Sequence, residues 1–267
     1  MRVRAIVSAC CAVAFCAAGA AAQTPPAAPP AASTARAAAP AAGWGADTVR
    51  LSVDIGVQGG GSAPSQSSTL QIYQESAPLN VSYGTKSPLL LEGGLGVHVH
   101  GRFGVGVAIS YARSKTDASV QAQIPNPFYF GQLRPITGTA SALQRTEVGT
   151  HIDALYLVPV NDRFDVMLSG GPSILYVQQD LVSSVNFSES YPYDTAAYTS
   201  AGLTRVSKSG IGFNVGADFS WRITKTIGFG GLVRFTRATL SLPLSGQPSI
   251  STQAGGVQAG AGIRLLF

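Results

Sequence analysis

The chain has 267 residues, of which 12% are charged and 45% apolar, and its formal net charge is +5. A soluble domain normally carries about a quarter charged residues, so this chain has too few charges for an ordinary water-facing surface. No run of about 18 apolar residues follows residue 22, which excludes helical membrane spans. Lys and Arg do not cluster in the sequence, which argues against a nucleic-acid partner.

Residues 1–22 are predicted to form a cleaved signal peptide. They begin with Arg2 and Arg4, continue with an apolar run and end in small residues at 20–22. A lipoprotein signal with Cys10 as the modified residue is the alternative, but the apolar run before Cys10 is short. The mature chain would contain no thiol, because the signal peptide holds all the cysteines, which are Cys10, Cys11 and Cys16.

Residues 23–47 form an Ala/Pro-rich segment with almost no large apolar side chains. Such a composition cannot bury enough surface to fold, so we expect this segment to be disordered. A spacer is the simplest interpretation, and an arm that binds the cell wall or a partner is the alternative.

From Thr48 onward apolar and polar residues alternate, which is the period of β-strands with two chemically different faces. Eight such stretches are predicted, namely 49–58, 91–100, 103–111, 147–156, 164–176, 212–222, 227–235 and 257–267. Three short turns alternate with four long connections, at Gly61–Ser87, Arg113–Gln144, Gln178–Val206 and Ser241–Gln253.

This layout predicts an all-β fold, an eight-stranded antiparallel up-and-down transmembrane β-barrel, over residues 48–267. A soluble eight-stranded barrel of the lipocalin type is the main competitor, and it would bury large apolar groups inside. An eight-stranded barrel has an interior just wide enough for side chains. The face with Gly, Ser and charged residues fits that interior, so the branched apolar residues must face outward into lipid.

Aromatic residues on the apolar faces concentrate near strand ends, as in the two girdles of membrane barrels. One predicted girdle contains Phe103, Tyr156, Phe164, Trp221 and Phe267. The other contains Tyr111, Tyr176, Phe213 and Phe235.

By its architecture and its C-terminal end, Gly262-Ile263-Arg264-Leu265-Leu266-Phe267, the chain resembles the small eight-stranded bacterial outer-membrane barrels. That family includes the membrane domain of outer membrane protein A and the opacity, OmpX–Ail and OmpW groups. Gly262, Leu265 and Phe267 are similar to the signal by which the assembly machinery recognises such barrels. Gly260 departs from the family pattern, which usually has a polar residue at that position.

The resemblance implies an integral protein of the bacterial outer membrane, exported with a cleaved signal peptide. Residues 23–47 and both termini would then lie in the periplasm, and the four long connections would be extracellular. Its partners would be outer-membrane lipid and lipopolysaccharide, the barrel assembly machinery, and an extracellular protein or glycan. We expect a monomer without a cofactor.

The polar faces of the strands predict a charged lumen. Because unpaired charges in a narrow interior are costly, we expect interlocked salt bridges that plug the barrel. A narrow ion or small-solute pore is the alternative, in which a broken pair opens a path for water. The predicted lumen charges are Arg50, Asp54, Glu92, His98, His100, Glu147, His151, Asp153, Asp165, Asp218, Arg222, Arg234 and Arg264.

Neither a metal site nor a catalytic site is assigned from the sequence. His98, His100 and Glu92 share a strand face, but residues at i and i+2 are roughly 7 Å apart and nearby carboxylates would satisfy the histidines equally well. His151 with Asp153 resembles half of a hydrolase dyad, yet a Gly-x-Ser-x-Gly elbow is absent. Lipid-A-modifying barrel enzymes carry His and Ser on the lipid face, whereas the histidines of this chain are predicted to face inward.

A specific role would reside in the long connections. Pro125–Arg134 and residues 186–198 combine aromatic residues with Ser, Asn and Pro, which suits binding to a protein or glycan. The alternatives are that these aromatic residues pack on one another or that the strands extend beyond the membrane. The sequence therefore predicts a non-enzymatic structural or surface-interaction protein that acts through four extracellular loops.

Overall fold

The computed structural model describes Trp44 and residues 48–60, 64–244 and 247–267. The predicted signal peptide lies outside the described residues. Within these ranges, no helix is long and apolar enough to cross a membrane. The strands are β1 Val49–Gly59, β2 Ser65–Ile72, β3 Glu75–Tyr83, β4 Leu89–His100, β5 Phe103–Pro125, β6 Leu133–Pro159, β7 Phe164–Glu189, β8 Ala196–Arg222, β9 Ile227–Leu244 and β10 Gln247–Leu266.

Eight of these strands form a closed antiparallel ring in the order β1, β4, β5, β6, β7, β8, β9, β10. The ring closes because β10 pairs with β1, with Leu265 opposite Leu51 and Ile263 opposite Val53. Short turns join β4 to β5, β6 to β7 and β8 to β9 at one end of the ring, which we call the turn end. We call the opposite end the loop end. The prediction of an eight-stranded antiparallel barrel is confirmed.

Near the turn end, the alternation sorts side chains by polarity. Outward side chains are mostly apolar and at least partly exposed, and inward ones are small or polar and buried. The outward apolar set runs from Phe103 to Tyr111 in β5 and from Phe164 to Tyr176 in β7. At about 3.3 Å per residue and a tilt of about 40°, these segments span roughly 20–30 Å, as the apolar surface of a membrane barrel does. We call this belt the apolar band.

The long connections predicted as loops are largely strands in the structure. β5 and β6, β7 and β8, and β9 and β10 continue past the apolar band as paired hairpins. Residues 61–87 contain a further hairpin, β2–β3, in which Leu79–Tyr83 pairs with Ala118–Ala122 of β5. The alternative of extended strands is therefore correct for these connections. Their residues also alternate in polarity, and the hairpins satisfy backbone groups that loops would leave to water.

Past the apolar band, the polarity of the two faces inverts. The inward side chains of the hairpins are apolar and form one buried cluster, which we call the upper cluster. Because water rather than lipid surrounds this part, burying apolar side chains inward is favourable. The cluster contains Leu79, Val81, Tyr83, Ala118, Val120, Ala122, Ile124, Ile136, Ala140, Leu143, Leu181, Val182, Val185, Leu242, Leu244 and Ile250.

Tyr83 is the one residue of this cluster with a side-chain hydroxyl, and that hydroxyl is fully paired. It donates to Oε1 of Gln66 at 2.6 Å and accepts from the backbone N–H of Val182 at 3.0 Å. Burial raises the pKa of Tyr83 to about 12, so the hydroxyl stays protonated in ordinary buffers. These two bonds connect β2 and β3 to β7 across the cluster.

Candidate functional site

The lumen at the turn end contains an ion-paired triad built from three strands. Nη1 and Nη2 of Arg50 bind the two carboxylate oxygens of Asp165 at 2.8 and 3.1 Å. Nη2 of Arg222 reaches the same carboxylate at 3.3 Å. Asp165 is therefore shared between two guanidinium groups, and the bidentate pair fixes β1 against β7 across the lumen.

Arg264 lies between two buried carboxylates further along the lumen. It binds Asp54 at 2.9 Å and Asp218 at 2.6 Å. Gly230 faces this guanidinium, and a Cβ at Gly230 would lie 3.0 Å from Nε of Arg264. The missing side chain at Gly230 thus provides space for the arginine.

Arg234 forms the third arginine centre. Its Nη1 lies 2.6 Å from Oε1 of Glu92 and its Nη2 lies 3.7 Å from Oδ2 of Asp153. His151 is buried nearby, and its ring nitrogens lie 3.0 Å from the hydroxyl of Ser110 and 2.8 Å from the hydroxyl of Ser173. The ring of His151 therefore bonds to two serines and not to Asp153, so the half-dyad is not formed.

Glu147 belongs to a layer where the apolar band ends. Its carboxylate accepts from Nε of Arg145 at 2.7 Å, from Nε2 of Gln58 at 2.9 Å and from the N–H of Gly255 at 2.9 Å. Arg145 is absent from the predicted lumen charges because the predicted strand began at residue 147. It lies two residues before Glu147, so continuing the alternation would have placed both on the same face.

His98 and His100 lie apart from this network. His98 stacks on Trp44 with ring centroids 5.5 Å apart, and its Nε2 lies 3.1 Å from the carbonyl oxygen of Gly101. His100 is exposed at the turn end. The prediction that both histidines join the lumen charges differs from the structure: His98 packs on Trp44 instead of an ion pair, and His100 follows a β-bulge in the last pairing of β4 with β5. Glu92, buried on Arg234, is not grouped with them.

Trp44 closes the lumen at the turn end. The side chain is 1% exposed and packs on Leu155, Leu157 and Met167. Its indole N–H donates to the carbonyl oxygen of Arg102 at 3.2 Å, and the guanidinium of Arg50 lies 5.1 Å from its ring. Residues 23–47 were expected to be disordered throughout, and Trp44 is an exception. Burial of its large aromatic ring removes much apolar surface from water and so favours an ordered position.

The predicted girdle residues at the turn end lie next to one another on neighbouring strands. Phe103 contacts Tyr156 with centroids 5.0 Å apart, and Phe164 contacts Trp221 at 6.0 Å. The remaining member, Phe267, directly follows β10 and has an exposed side chain.

At the other edge of the apolar band, Phe213 and Phe235 lie 6.1 Å apart. Tyr111 and Tyr176 are exposed on the outer face of β5 and β7.

The three residues similar to an assembly signal lie on or just after β10. A Cβ at Gly262 would overlap the carbonyl oxygen of Val53, so the close approach of β1 and β10 requires glycine at this position. Leu265 pairs with Leu51 of β1, and the N–H of Phe267 donates to the carbonyl oxygen of Val49 at 2.9 Å.

The hairpins end in an ordered set of turns at the loop end. The side-chain oxygen of buried Asn126 accepts from the N–H groups of Phe128 and Tyr129 at 2.9 and 3.2 Å. Its amide nitrogen donates to the carbonyl oxygen of Tyr193 at 3.1 Å. One buried side chain thereby shapes the β5–β6 turn and attaches it to the β7–β8 turn.

Arg134 joins the same turns from below. It donates to the carbonyl oxygens of Pro125 at 2.6 Å and Tyr193 at 3.0 Å, and it forms a 2.5 Å ion pair with Glu189. The hydroxyl of Tyr73, from the β2–β3 turn, also binds Glu189. Three turns are thus fixed to one another through buried or half-buried polar groups.

Above these contacts lies a group of exposed aromatic side chains, which we call the aromatic tip. It consists of Tyr73, Phe128, Tyr129, Phe130 and Tyr191.

Two cavities accompany these features. A cavity of about 180 Å³ lies at the loop end of the apolar band and is bordered by Gln58, Lys86 and Arg145. A cavity of about 50 Å³ lies among the lumen arginines, between Glu92, Asp153 and Arg264. In the described part of the chain, no group of three or more His, Cys, Asp or Glu is placed to hold a metal ion.

Comparison with known proteins gives structural likenesses only. No protein-family model and no curated protein matches the chain. Among solved structures, OprG from Pseudomonas aeruginosa is 10% identical with a TM-score of 0.45, and 84% of this chain is aligned to 99% of OprG. The outer membrane protease OmpT from Escherichia coli is 8% identical with a TM-score of 0.45, over 83% and 97% of the two chains.

Neisserial surface protein A is 12% identical with a TM-score of 0.40, over 82% of this chain and 97% of its own. At these scores the likenesses add nothing about activity. The closed ring of eight strands, its apolar exterior and its ion-paired interior identify the chain by themselves as a β-barrel of the membrane-spanning type.

Proposed function

We propose that this protein is a non-enzymatic integral barrel of the bacterial outer membrane that acts at its loop end as a structural or surface-interaction protein. The contrast between a closed interior and an ordered, exposed set of turns carries this proposal. Ion pairs fill the lumen along the apolar band, and the upper cluster fills the barrel beyond it. With the interior filled, the exposed turns are the part of the barrel that can contact a partner.

In the proposed orientation, the turn end faces the periplasm and the loop end faces the exterior. Short periplasmic turns and long extracellular hairpins are typical of this class of barrel. Arg113, Lys115, Arg205 and Arg237 are exposed just beyond the apolar band. At that level they can contact the phosphates of lipopolysaccharide, which supports the outer membrane as the site of the barrel.

A narrow pore is the function that the closed interior argues against. A continuous water path would have to break the pairs of Arg50, Arg234 and Arg264, and each break would leave a buried charge without a partner. We expect single-channel recordings of the full-length barrel in planar bilayers to stay silent over a wide voltage range, with a general porin as the positive control. Reproducible unitary currents from the barrel would contradict the proposal.

A lipid-A-modifying activity is tested separately. His151 is buried in the lumen between two serine hydroxyls and has no access to the lipid face. We therefore expect mass spectrometry of lipid A to show the same species with and without overexpression of the protein. A new lipid A mass that requires the intact protein would make the barrel an enzyme.

A further inference from the structure

The aromatic tip is the feature that neither the lumen nor the apolar band explains. Phe130 and Tyr191 are 89% and 87% exposed, and Phe128 and Tyr129 are 70% and 59% exposed. Isolated exposed apolar residues are common, but a group gathered from three separate turns marks an interaction surface. Rings exposed to this degree stand out from the surface and do not line a cleft.

The tip is held rigid before any partner arrives. Asn126 and Arg134, both buried, direct their hydrogen bonds at the backbone of the turns that carry the rings. Because the turns are already ordered, binding through them costs little additional conformational entropy.

The tip is also far from the membrane that the barrel itself spans. β5 runs from Tyr111, at the edge of the apolar band, to Pro125 below the tip. At about 3.3 Å per residue and a tilt of about 40°, this stretch of strand rises roughly 35 Å beyond the apolar band. The rings therefore lie too far from the apolar band to anchor the barrel in its own bilayer, and in the proposed orientation they face the exterior of the cell.

The charges around the tip restrict the partner. In residues 72–75, 125–134 and 189–195, all of which the structure describes, Arg134 is the sole cation, and it is buried on Glu189. Glu75 is half-buried and Asp194 is exposed. The accessible tip thus combines aromatic rings with carboxylates, which repels an anionic surface. It suits a surface that presents quaternary ammonium groups, since these are attracted to aromatic faces and to acids.

We propose that the aromatic tip inserts its rings into the headgroup region of an apposed zwitterionic lipid surface of the phosphatidylcholine type. Tyrosine is favoured at the membrane–water interface, where an apolar ring and a polar hydroxyl are both accommodated, and phenylalanine supplies the apolar contact of interfacial segments. The strong protrusion of Phe130 and Tyr191 fits a soft lipid surface better than a structured protein or glycan epitope. This inference rests on the proposed function, because it requires the loop end to face the exterior.

The test uses the full-length barrel in lipid nanodiscs, floated with phosphatidylcholine vesicles. We expect the barrel to float with these vesicles and empty nanodiscs not to. Replacing part of the phosphatidylcholine by phosphatidylserine should weaken flotation, because the tip has an exposed acid, Asp194, and no exposed base. The triple variant Phe128→Ser, Phe130→Ser, Tyr191→Ser should bind at least about tenfold more weakly, since three interfacial rings are removed.

Leu203→Ser is the matched control, because Leu203 is an exposed apolar residue of β8 that does not belong to the aromatic tip. Both variants should keep the heat-dependent shift in gel mobility of a folded barrel. Equal flotation of the triple variant and the wild type, stronger flotation with phosphatidylserine, or binding restricted to a protein or glycan array would each overturn the inference. If flotation fails while bilayer recordings stay silent and lipid A is unchanged, this inference falls and the proposed function stands.

Discussion

At the scale of single residues, the lumen shows how a narrow interior accommodates charge. Arg264 and Arg234 each lie between two acids, and Asp165 lies between two arginines. Bridging of this kind means that the loss of one central group leaves two like charges without their counter-ion. Such centres are expected to be more sensitive to mutation than an isolated pair.

Arg234→Gln should destabilise the barrel by about 3–5 kcal/mol, because Glu92 and Asp153 then stay buried without a cation. Urea unfolding in lipid vesicles, followed by gel mobility, measures the change in the free energy of unfolding. The double variant Glu92→Gln, Arg234→Gln should recover part of that loss. A single variant as stable as the wild type would show that the ion pairs do not stabilise the folded barrel.

Trp44→Ala should cost about 3 kcal/mol, since it removes a buried ring and its contact with the guanidinium of Arg50. The environment of the ring can be checked directly in Trp221→Phe, which leaves Trp44 as the single tryptophan of the chain and allows selective excitation at its absorption edge. We expect blue-shifted emission that acrylamide quenches weakly. Emission like that of tryptophan in water would contradict a closed turn end.

At the scale of elements, the long hairpins are attached to the barrel at both of their ends. The β7–β8 hairpin is connected at its base through Asp180, whose carboxylate accepts from Nε of Arg205 at 2.8 Å and from the N–H of Gln144 at 3.0 Å. At its tip the hairpin is connected through Glu189 and Arg134. The hairpins therefore extend the barrel wall as one body and do not behave as independent loops.

The base of this hairpin gives a pH-dependent prediction. The hydrogen bond from Arg205 lowers the pKa of Asp180 below its ordinary value of 3.8. A folded pKa below the unfolded one stabilises the fold above about pH 3.8, and this stabilisation is lost as the pH falls through the folded pKa. Asp180→Asn should therefore lower the urea midpoint slightly at pH 7, because Arg205 is exposed and screened by solvent.

The midpoints of Asp180→Asn and the wild type should converge as the pH is lowered below 3.8. Asp194→Asn, which changes an exposed carboxyl in the β7–β8 turn, is the matched control. A difference between Asp180→Asn and the wild type that persists unchanged at the lowest pH would exclude the ion pair as its cause.

At the scale of the whole molecule, the barrel is adapted to lipid along the apolar band and to water beyond it. Along the apolar band it is apolar outside and polar inside, and past the band it is apolar inside in the upper cluster. Closure depends on β1 and β10, which are far apart in the chain and meet at Val53 and Gly262. The C-terminal strand therefore has a part in closure as well as the proposed part in recognition.

Phe267→Ser distinguishes these two parts. The ring of Phe267 is largely exposed, whereas its backbone N–H and carbonyl make the contacts with β1. We expect the variant to refold in vitro and to keep its heat-dependent mobility shift, but to reach the outer membrane of cells in reduced amount. Leu51→Ser, an exposed position on the partner strand, is the control for the loss of one apolar outward side chain. Normal assembly of Phe267→Ser in cells would remove the proposed recognition role.

The eight ring strands and their inner and outer faces could be predicted because alternation is a local property. Successive side chains point to opposite faces, so the alternation from Val49 to Gln58 in β1 already distinguishes an apolar face from a polar one. The same rule predicted Arg50, Asp54 and Glu92 on one polar face, and the structure shows all three buried and ion-paired. These are the features that the sequence by itself determined.

Which arginine meets which acid was decided only by the tertiary structure. Arg50 and Asp165 are 115 positions apart, and they meet because the register of every intervening strand pair sets their heights in the lumen. The burial of Trp44 and the inward-facing apolar side chains of the upper cluster were likewise decided by the tertiary structure. Alternation shows that two faces differ, but the solvent outside each level of the closed barrel decides which of them is turned inward.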